Sequence, residues 1–186
     1  MEYEYSFKVE EIDPYIEYCK NNGYEFVEET NQSRTLYRNT NKTMARITIK
    51  EKNNIIKKLL DFKDDNITDD ILIERRESKS IEFTDDDAVE SILNFLNYKK
   101  DNTLIRKRYV YKKGNVKFEI DDYEYPEKSY VVAIEGKKSE VDKVYNIVKE
   151  QIWNSLLNSI YYNYSKEVFN IIKYLLAFLI IIKSEI

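Results

Sequence analysis

Glu2 and Glu4 stand two residues apart, and Ser6 and Lys8 continue the same spacing. Arg46, Thr48 and Lys50 repeat it, as do Arg75, Glu77 and Lys79, the pair Arg106 and Arg108, and Lys117, Glu119 and Asp121. Val131, Ala133 and Glu135 keep the spacing with one charge. Guanidinium forks match phosphate oxygens, and carboxylate oxygens bind hard cations such as Mg²⁺ or Mn²⁺. A divalent cation complexed to a polyphosphate needs both kinds of group converging on one place. The chain has no histidine, which excludes His-based triads, imidazole acid–base chemistry and most zinc sites. Carboxylates remain as the metal ligands.

A spacing of two places side chains on one face of a strand. In "MEYEYSFKV" the opposite face is Tyr3, Tyr5, Phe7 and Val9; in "MARITIK" it is Ala45, Ile47 and Ile49; in "VKFEID" it is Val116, Phe118 and Ile120. Further strands are expected over 25–39, near 55–63, over 71–83, 102–112, 115–125 and 128–136, with turn residues around 40–42 and a hairpin at 113–115. Asp13-Pro14 opens a short helix that Gly23 stops. Thr84 with Asp87 makes a capping box for a helix over 85–97, and Ser139 caps a long helical region. Strand–helix–strand–strand thus occurs twice, near 2–50 and 71–124. On an open sheet such polar faces would simply be solvated. Curled into a barrel, the same sheet loses its open edges and encloses charges of both signs. That enclosure is costly unless the charges meet opposite charges, a metal or an anionic ligand.

The 186 residues suffice for one domain with a real core. A charged fraction of 34% beside 42% hydrophobic residues argues against disorder, and a net charge of −4 gives no global reason to expect nucleic acid. The single cysteine, Cys19, permits no internal disulfide and fits a reducing, cytoplasmic setting. The N-terminus enters a charged strand directly, with no signal peptide to be read. At the other end, Tyr174 to Ile182 is an unbroken apolar run between Lys173 and Lys183. It is shorter than the roughly 20 residues that a spanning helix needs. A helix buried against the domain or a second protomer is expected there, with association to a membrane surface as the rival. The expected division is a domain over 1–150 and a helical extension over 151–186.

In order along the chain, these pieces resemble the CYTH superfamily, the triphosphate tunnel metalloenzymes, over residues 2 to about 150. The E-x-E-x-K opening falls on Glu2 and Glu4, with Ser6 in place of lysine. A Q-x-D-x-Y-like strand is matched at Gln32 and Tyr37, with Arg34 where the acid stands. Arg46, the pair Arg75 and Glu77, the pair Arg106 and Arg108, and Asp121 keep their motif positions. Glu135 does as well, while Ala133 replaces a glutamate. The resemblance implies an α+β fold, with an eight-stranded antiparallel closed β-barrel, flanking helices and a helical C-terminus. It implies Glu2, Glu4, Asp121 and Glu135 as ligands of Mg²⁺ or Mn²⁺, with Glu2, Glu4 and Glu135 serving catalysis. Arg46, Arg75, Arg106 and Arg108 would hold the phosphates, helped by Lys8 and Lys50. The implied activity is metal-dependent hydrolysis of a small triphosphate, with an RNA 5′ end among the substrates. Class IV-type adenylyl cyclase and a polyphosphate-binding module without turnover are the alternatives.

Overall fold

The computed structural model describes residues 2–64, 72–75 and 78–152, with the side chains of Glu2 and of residues 72–75 outside that description. The alternating segments form β1 (Glu2–Val9), β2 (Glu25–Arg38), β3 (Thr43–Lys52), β4 (Ile55–Asp64), β5 (Leu72–Arg75), β6 (Ile81–Phe83), β7 (Lys99–Lys113), β8 (Val116–Tyr125) and β9 (Ser129–Gly136). All pair antiparallel in one sheet, in the order β5-β1-β9-β8-β7-β2-β3-β4-β6.

The expected eight-stranded closed barrel needs correction in two respects. The stretch 71–83 is two strands, not one: β5 pairs with β1 and β6 with β4, at opposite ends of the sheet. Among the described residues no pair of strands closes the sheet by hydrogen bonds. Its ends nevertheless approach each other. The Ser78 amide donates to the Phe62 carbonyl on β4 at 2.9 Å, and the Phe62 amide donates to the Ser78 hydroxyl at 2.9 Å. Arg75 pairs with Glu2 on β1 and precedes Ser78 by three residues, so at most about 11 Å separates them. Lys63 on β4 reaches across to Glu4 on β1, Nζ to Oε2 3.9 Å. The sheet therefore curls so that its two ends approach each other, with no closing ladder among the described residues.

Helices cover the outward, apolar faces. Helix α1 (Asp13–Asn21) starts with proline in its first turn and ends before Gly23, whose φ of +73° suits a residue without a Cβ. Its Tyr18, with Tyr24, packs against Phe118 of β8, ring centroids 5.9 and 5.0 Å apart. Helix α2 (Asp86–Phe95) is capped by Asp85, whose carboxylate accepts from the Ala88 amide at 3.0 Å, and not by Thr84. Its Val89 and Leu93 close a cluster with Tyr37, Ala45, Leu60 and Tyr98. A third helix, α3, is described over residues 138–152, so Ser139 lies inside its first turn. Tyr5 stacks on Tyr145 of α3 at 4.1 Å and donates to Asp142 at 2.9 Å. Phe118, Ile120, Val132, Ile134 and Leu93 are fully buried, each contributing roughly 1.5–3 kcal/mol of apolar burial. The tyrosines and branched residues opposite the charges thus fix the strands by their outer faces.

The chain divides into two compact units, Met1–Tyr145 and Asn146–Ile186. The apolar run 174–182 and Trp153 lie outside the described residues, as do Glu77 and the acidic stretch from residue 65 to 70. Among the described residues no helix is long and apolar enough to cross a membrane.

Candidate functional site

The inward faces line a cavity of about 440 Å³. Each strand that lines it contributes residues of one phase, such as Glu4 and Ser6 from β1, Arg46, Thr48 and Lys50 from β3, and Lys117, Glu119 and Asp121 from β8. The lining is sorted by charge around the sheet. Strands β1, β9 and β8, adjacent in the order, carry Glu4, Glu135, Glu119 and Asp121, with Lys117 as their one cation. Strands β7, β2, β3 and β4, also adjacent, carry Arg106, Arg108, Arg34, Arg46, Lys50 and Lys63, with Glu28 and Asp61 as their acids. One wall is acidic and the wall facing it is basic.

The two walls are stitched together at Asp121, which is only 2% exposed. Arg108 donates to it through Nε at 2.6 Å and Nη2 at 2.7 Å, a two-pronged fork. Arg106 adds a bond from Nη1 at 2.6 Å and turns Nε and Nη2 to the Gln32 carbonyl oxygen at 3.1 and 2.9 Å. Gln32 in turn donates to Thr30 at 3.0 Å. Arg108 also meets Glu119. Burial acts against the Arg108 charge, but Glu119 and Asp121 outweigh it and hold the pKa above the ordinary arginine value. Burial and Arg108 depress Arg106, against the pull of Asp121. Elsewhere on the basic wall Arg46 pairs with Asp61 at 2.5 Å, and Lys50 with Glu28 at 2.6 Å.

On the acidic wall, strand register sets Glu135 opposite both Glu4 and Lys117. The Lys117 ammonium lies 2.5 Å from Glu135 and 3.0 Å from Glu119. The two carboxylates share it unequally. Burial pushes against ionisation of Glu119, but Arg108 and Lys117 together bring its pKa down to about 2. Among the described residues no arginine pairs with Glu135; burial and the negative charge of Glu119, then of Glu4, push its pKa up to about 7 against the attraction of Lys117. A group with a pKa near neutrality can take up a proton at working pH. Behind it, Gly136 has a φ of +153°, and a Cβ there would sit 2.6 Å from the Asn115 carbonyl. Glycine thus lets β9 approach the β7–β8 turn closely beside Glu135.

Of the expected site residues, Glu4, Glu135, Asp121, Arg46, Lys50, Arg106 and Arg108 come together in this cavity. Lys8 does not: it keeps the inward phase but sits one residue from the end of β1, exposed, 3.7 Å from Glu127. Asp121, expected as a metal ligand, is placed as counter-ion to two arginines. The backbones of Glu2 and Arg75 pair with each other, and their side chains lie outside the described residues. Lys63, Asp61 and Glu28 also line it without having been singled out, and so do Lys117, read only as part of an alternating strand, and Arg34, read only as a departure from a motif. Among the described residues no three carboxylate, thiol or imidazole side chains gather closely enough to cage a metal ion. Among the described residues the acidic wall is therefore not a closed metal site, although its carboxylates are of the type that Mg²⁺ and Mn²⁺ prefer.

No protein-family model matches the sequence, and no curated protein is significantly similar to it. Solved structures are similar over most of their length. The PH1012 protein of Pyrococcus horikoshii OT3 has a TM-score of 0.62 at 22% identity, covering 81% of this chain and 87% of that one. A conserved hypothetical protein of Pyrococcus furiosus has a TM-score of 0.59 at 25% identity, covering 83% and 88%. HpAC1 of Hippeastrum, named as a candidate adenylyl cyclase with a dominant triphosphatase activity, has a TM-score of 0.58 at 15% identity, covering 81% and 87%. At these identities the likeness is one of fold.

Proposed function

We propose a function for this chain from two facts together: it has the fold of the CYTH superfamily, and its lumen carries opposite charge on opposite walls. The proposed function is hydrolysis of a small triphosphate entering as its complex with Mg²⁺ or Mn²⁺. The observation that carries this reading is the sorting of charge by strand. A triphosphate and its cation are themselves a pair of opposite charges joined side by side. Arg46, Arg106, Arg108 and Lys50 would hold the phosphate oxygens, and Glu4 and Glu135 would hold the cation; Glu2, two residues from Glu4, is the further ligand that the resemblance implies. Mg²⁺ commonly takes one or two carboxylates plus substrate phosphates and keeps several waters, so no protein cage is required. Bound there, the cation would supply neutralisation of the charge that develops on the phosphoryl oxygens.

The residues of the chain do the rest by positioning and charge. The basic wall fixes the phosphate chain. Glu135 in its ionised form accepts a proton from a water aimed at the terminal phosphorus. A new P–O bond forms to that water, the bridging P–O bond breaks, and the bond pair leaves with the diphosphate. The products are orthophosphate and a diphosphate, with one proton gained by Glu135. The activity named for the Hippeastrum protein supports this reading over cyclisation. A second reading, binding of a polyphosphate without turnover, is favoured by one observation: Asp121, Glu119 and Glu135 already have cationic partners.

A product screen decides among these. Inorganic triphosphate, nucleoside triphosphates, thiamine triphosphate and triphosphate-ended RNA are each incubated with the full chain and Mg²⁺ or Mn²⁺. Orthophosphate release that a chelator abolishes is expected. Cyclic AMP without orthophosphate would establish the cyclase, and saturable binding with no product would establish the binding module.

A further inference from the structure

Arg34 differs from every other arginine of the lumen. It lines the cavity half-buried, and its Nε donates to the Thr48 hydroxyl at 3.1 Å. Among the described residues no carboxylate lies within ion-pair distance of it, whereas Arg46, Arg106 and Arg108 each have one. Its neighbours in the field are cations. Burial, then Arg106, Arg108 and Arg46, depress its pKa well below the ordinary value, opposed by the smaller pull of Asp61. The chain thus holds a guanidinium where its charge is disfavoured, with its terminal nitrogens unpartnered among the described residues. A purely structural arginine would be placed beside an acid, and an apolar or amide side chain would fit this position at lower cost. Arg34 also stands where the resembled motif has an acid, so the position has changed sign.

We infer that Arg34 is the phosphoryl seat of the lumen, donating directly to the terminal phosphate oxygens of the bound triphosphate. The inference rests on the triphosphate reading for the identity of its ligand. A terminal phosphoryl group carries roughly 1.5–2 negative charges near pH 7, more than an internal one. The incoming anion then supplies the counter-charge that Asp121, Asp61, Glu28 and Glu4 supply to the other cations of that wall. Ser6, which removes a cation from β1, leaves the basic wall as the place from which this charge must come.

The test uses the full chain without metal and with Mg²⁺, titrated calorimetrically with inorganic tripolyphosphate and, separately, orthophosphate. Arg34→Gln should weaken tripolyphosphate binding by about tenfold or more, the loss of a charged hydrogen-bonding pair, and Arg34→Lys should fall between the two. The ligand-free Arg34→Gln protein should melt above wild type, because a disfavoured charge has been removed. A structural arginine would give the reverse, a lower Tm with unchanged binding, and that result overturns the inference. Wild-type affinity in Arg34→Gln overturns it as well. If the wild type ignores tripolyphosphate but binds orthophosphate through Arg34, the triphosphate reading falls and the anion seat stands. If it binds neither, both fall.

Discussion

The acidic and basic walls are made by the same rule and behave differently. Both use strands whose alternate residues are charged, yet among the described residues each cation of the basic wall but one meets a carboxylate, while on the acidic wall Glu119 and Glu135 share a single lysine and Glu4 meets its cation, Lys63, only across the gap between the ends of the sheet. The basic wall stores its imbalance in one arginine. The acidic wall stores its imbalance as a carboxyl group that titrates near neutrality. Buried charge of either sign is tolerated only when its neighbours or its ligand complete it. On the proposed function, the imbalance on each wall marks where a ligand of opposite sign would bind.

The comparison breaks most severely at the residue shared by both walls. Asp121→Ala leaves two guanidiniums facing each other in a buried setting, and a loss of about 3–5 kcal/mol is expected. Urea unfolding of the two proteins measures it, and a loss under 1 kcal/mol would mean that the arginines do not depend on Asp121. Next in size is Glu4→Ala, which removes a carboxylate from the acidic wall and with it the partner that Lys63 meets from β4. The domain should stay folded while Mg²⁺-supported binding of triphosphate falls about 10–100-fold, as for loss of a charge-assisted contact. Unchanged metal dependence in the folded variant would detach the acidic wall from the cation.

Glu135 sharpens the contrast through pH. Its folded-state pKa of about 7 lies above the ordinary value of 4.5. The proton it binds stabilises the folded chain fully below about pH 4.5, and that contribution is lost as pH rises through about 7. Glu135→Gln should remove this dependence and be more stable than wild type at pH 8 by on the order of 1–2 kcal/mol, at 1.36 kcal/mol per pKa unit less the lost contact with Lys117. Unfolding midpoints of both proteins across pH 4–8 provide the check. The smallest effect belongs to Lys8→Ala, outside the cavity: stability within about 0.5 kcal/mol and unchanged anion binding. A large loss of binding there would extend the basic wall beyond its four strands.

How much of this the sequence carried depends on how cleanly each strand alternates. In β1, β3 and β8 every second residue is apolar, so the inward phase and most lumen charges were legible. In β4 the doublets Ile55-Ile56, Lys57-Lys58 and Leu59-Leu60 hide the phase, and Asp61 and Lys63 went unnoticed until the pairing of Arg46 with Asp61 fixed it. The stretch 71–83 is continuously strand-like in composition, and nothing in its residue types says that β5 and β6 serve different edges. Phase alone also does not tell a lumen residue from one beyond the rim, which is why Lys8 counts among the expected phosphate-holding residues and yet lies outside the cavity. Arg34 was visible as a departure from a motif. Its meaning required the neighbours that β3 and β7 bring beside it, because an arginine in an acid's place reads locally as a loss.

Cys19 gives the protein a stopwatch of its own. It is the one thiol in the chain, it has no exposed surface, and burial pushes its pKa up to about 12. The reactive species is the thiolate, so a disulfide reagent in neutral buffer must wait for α1 to lift from β8 before it finds a target. The labelling rate then counts openings of the native domain directly, without denaturant and without a fluorophore. Addition of a ligand that fills the lumen should slow that clock in proportion to how tightly it is held.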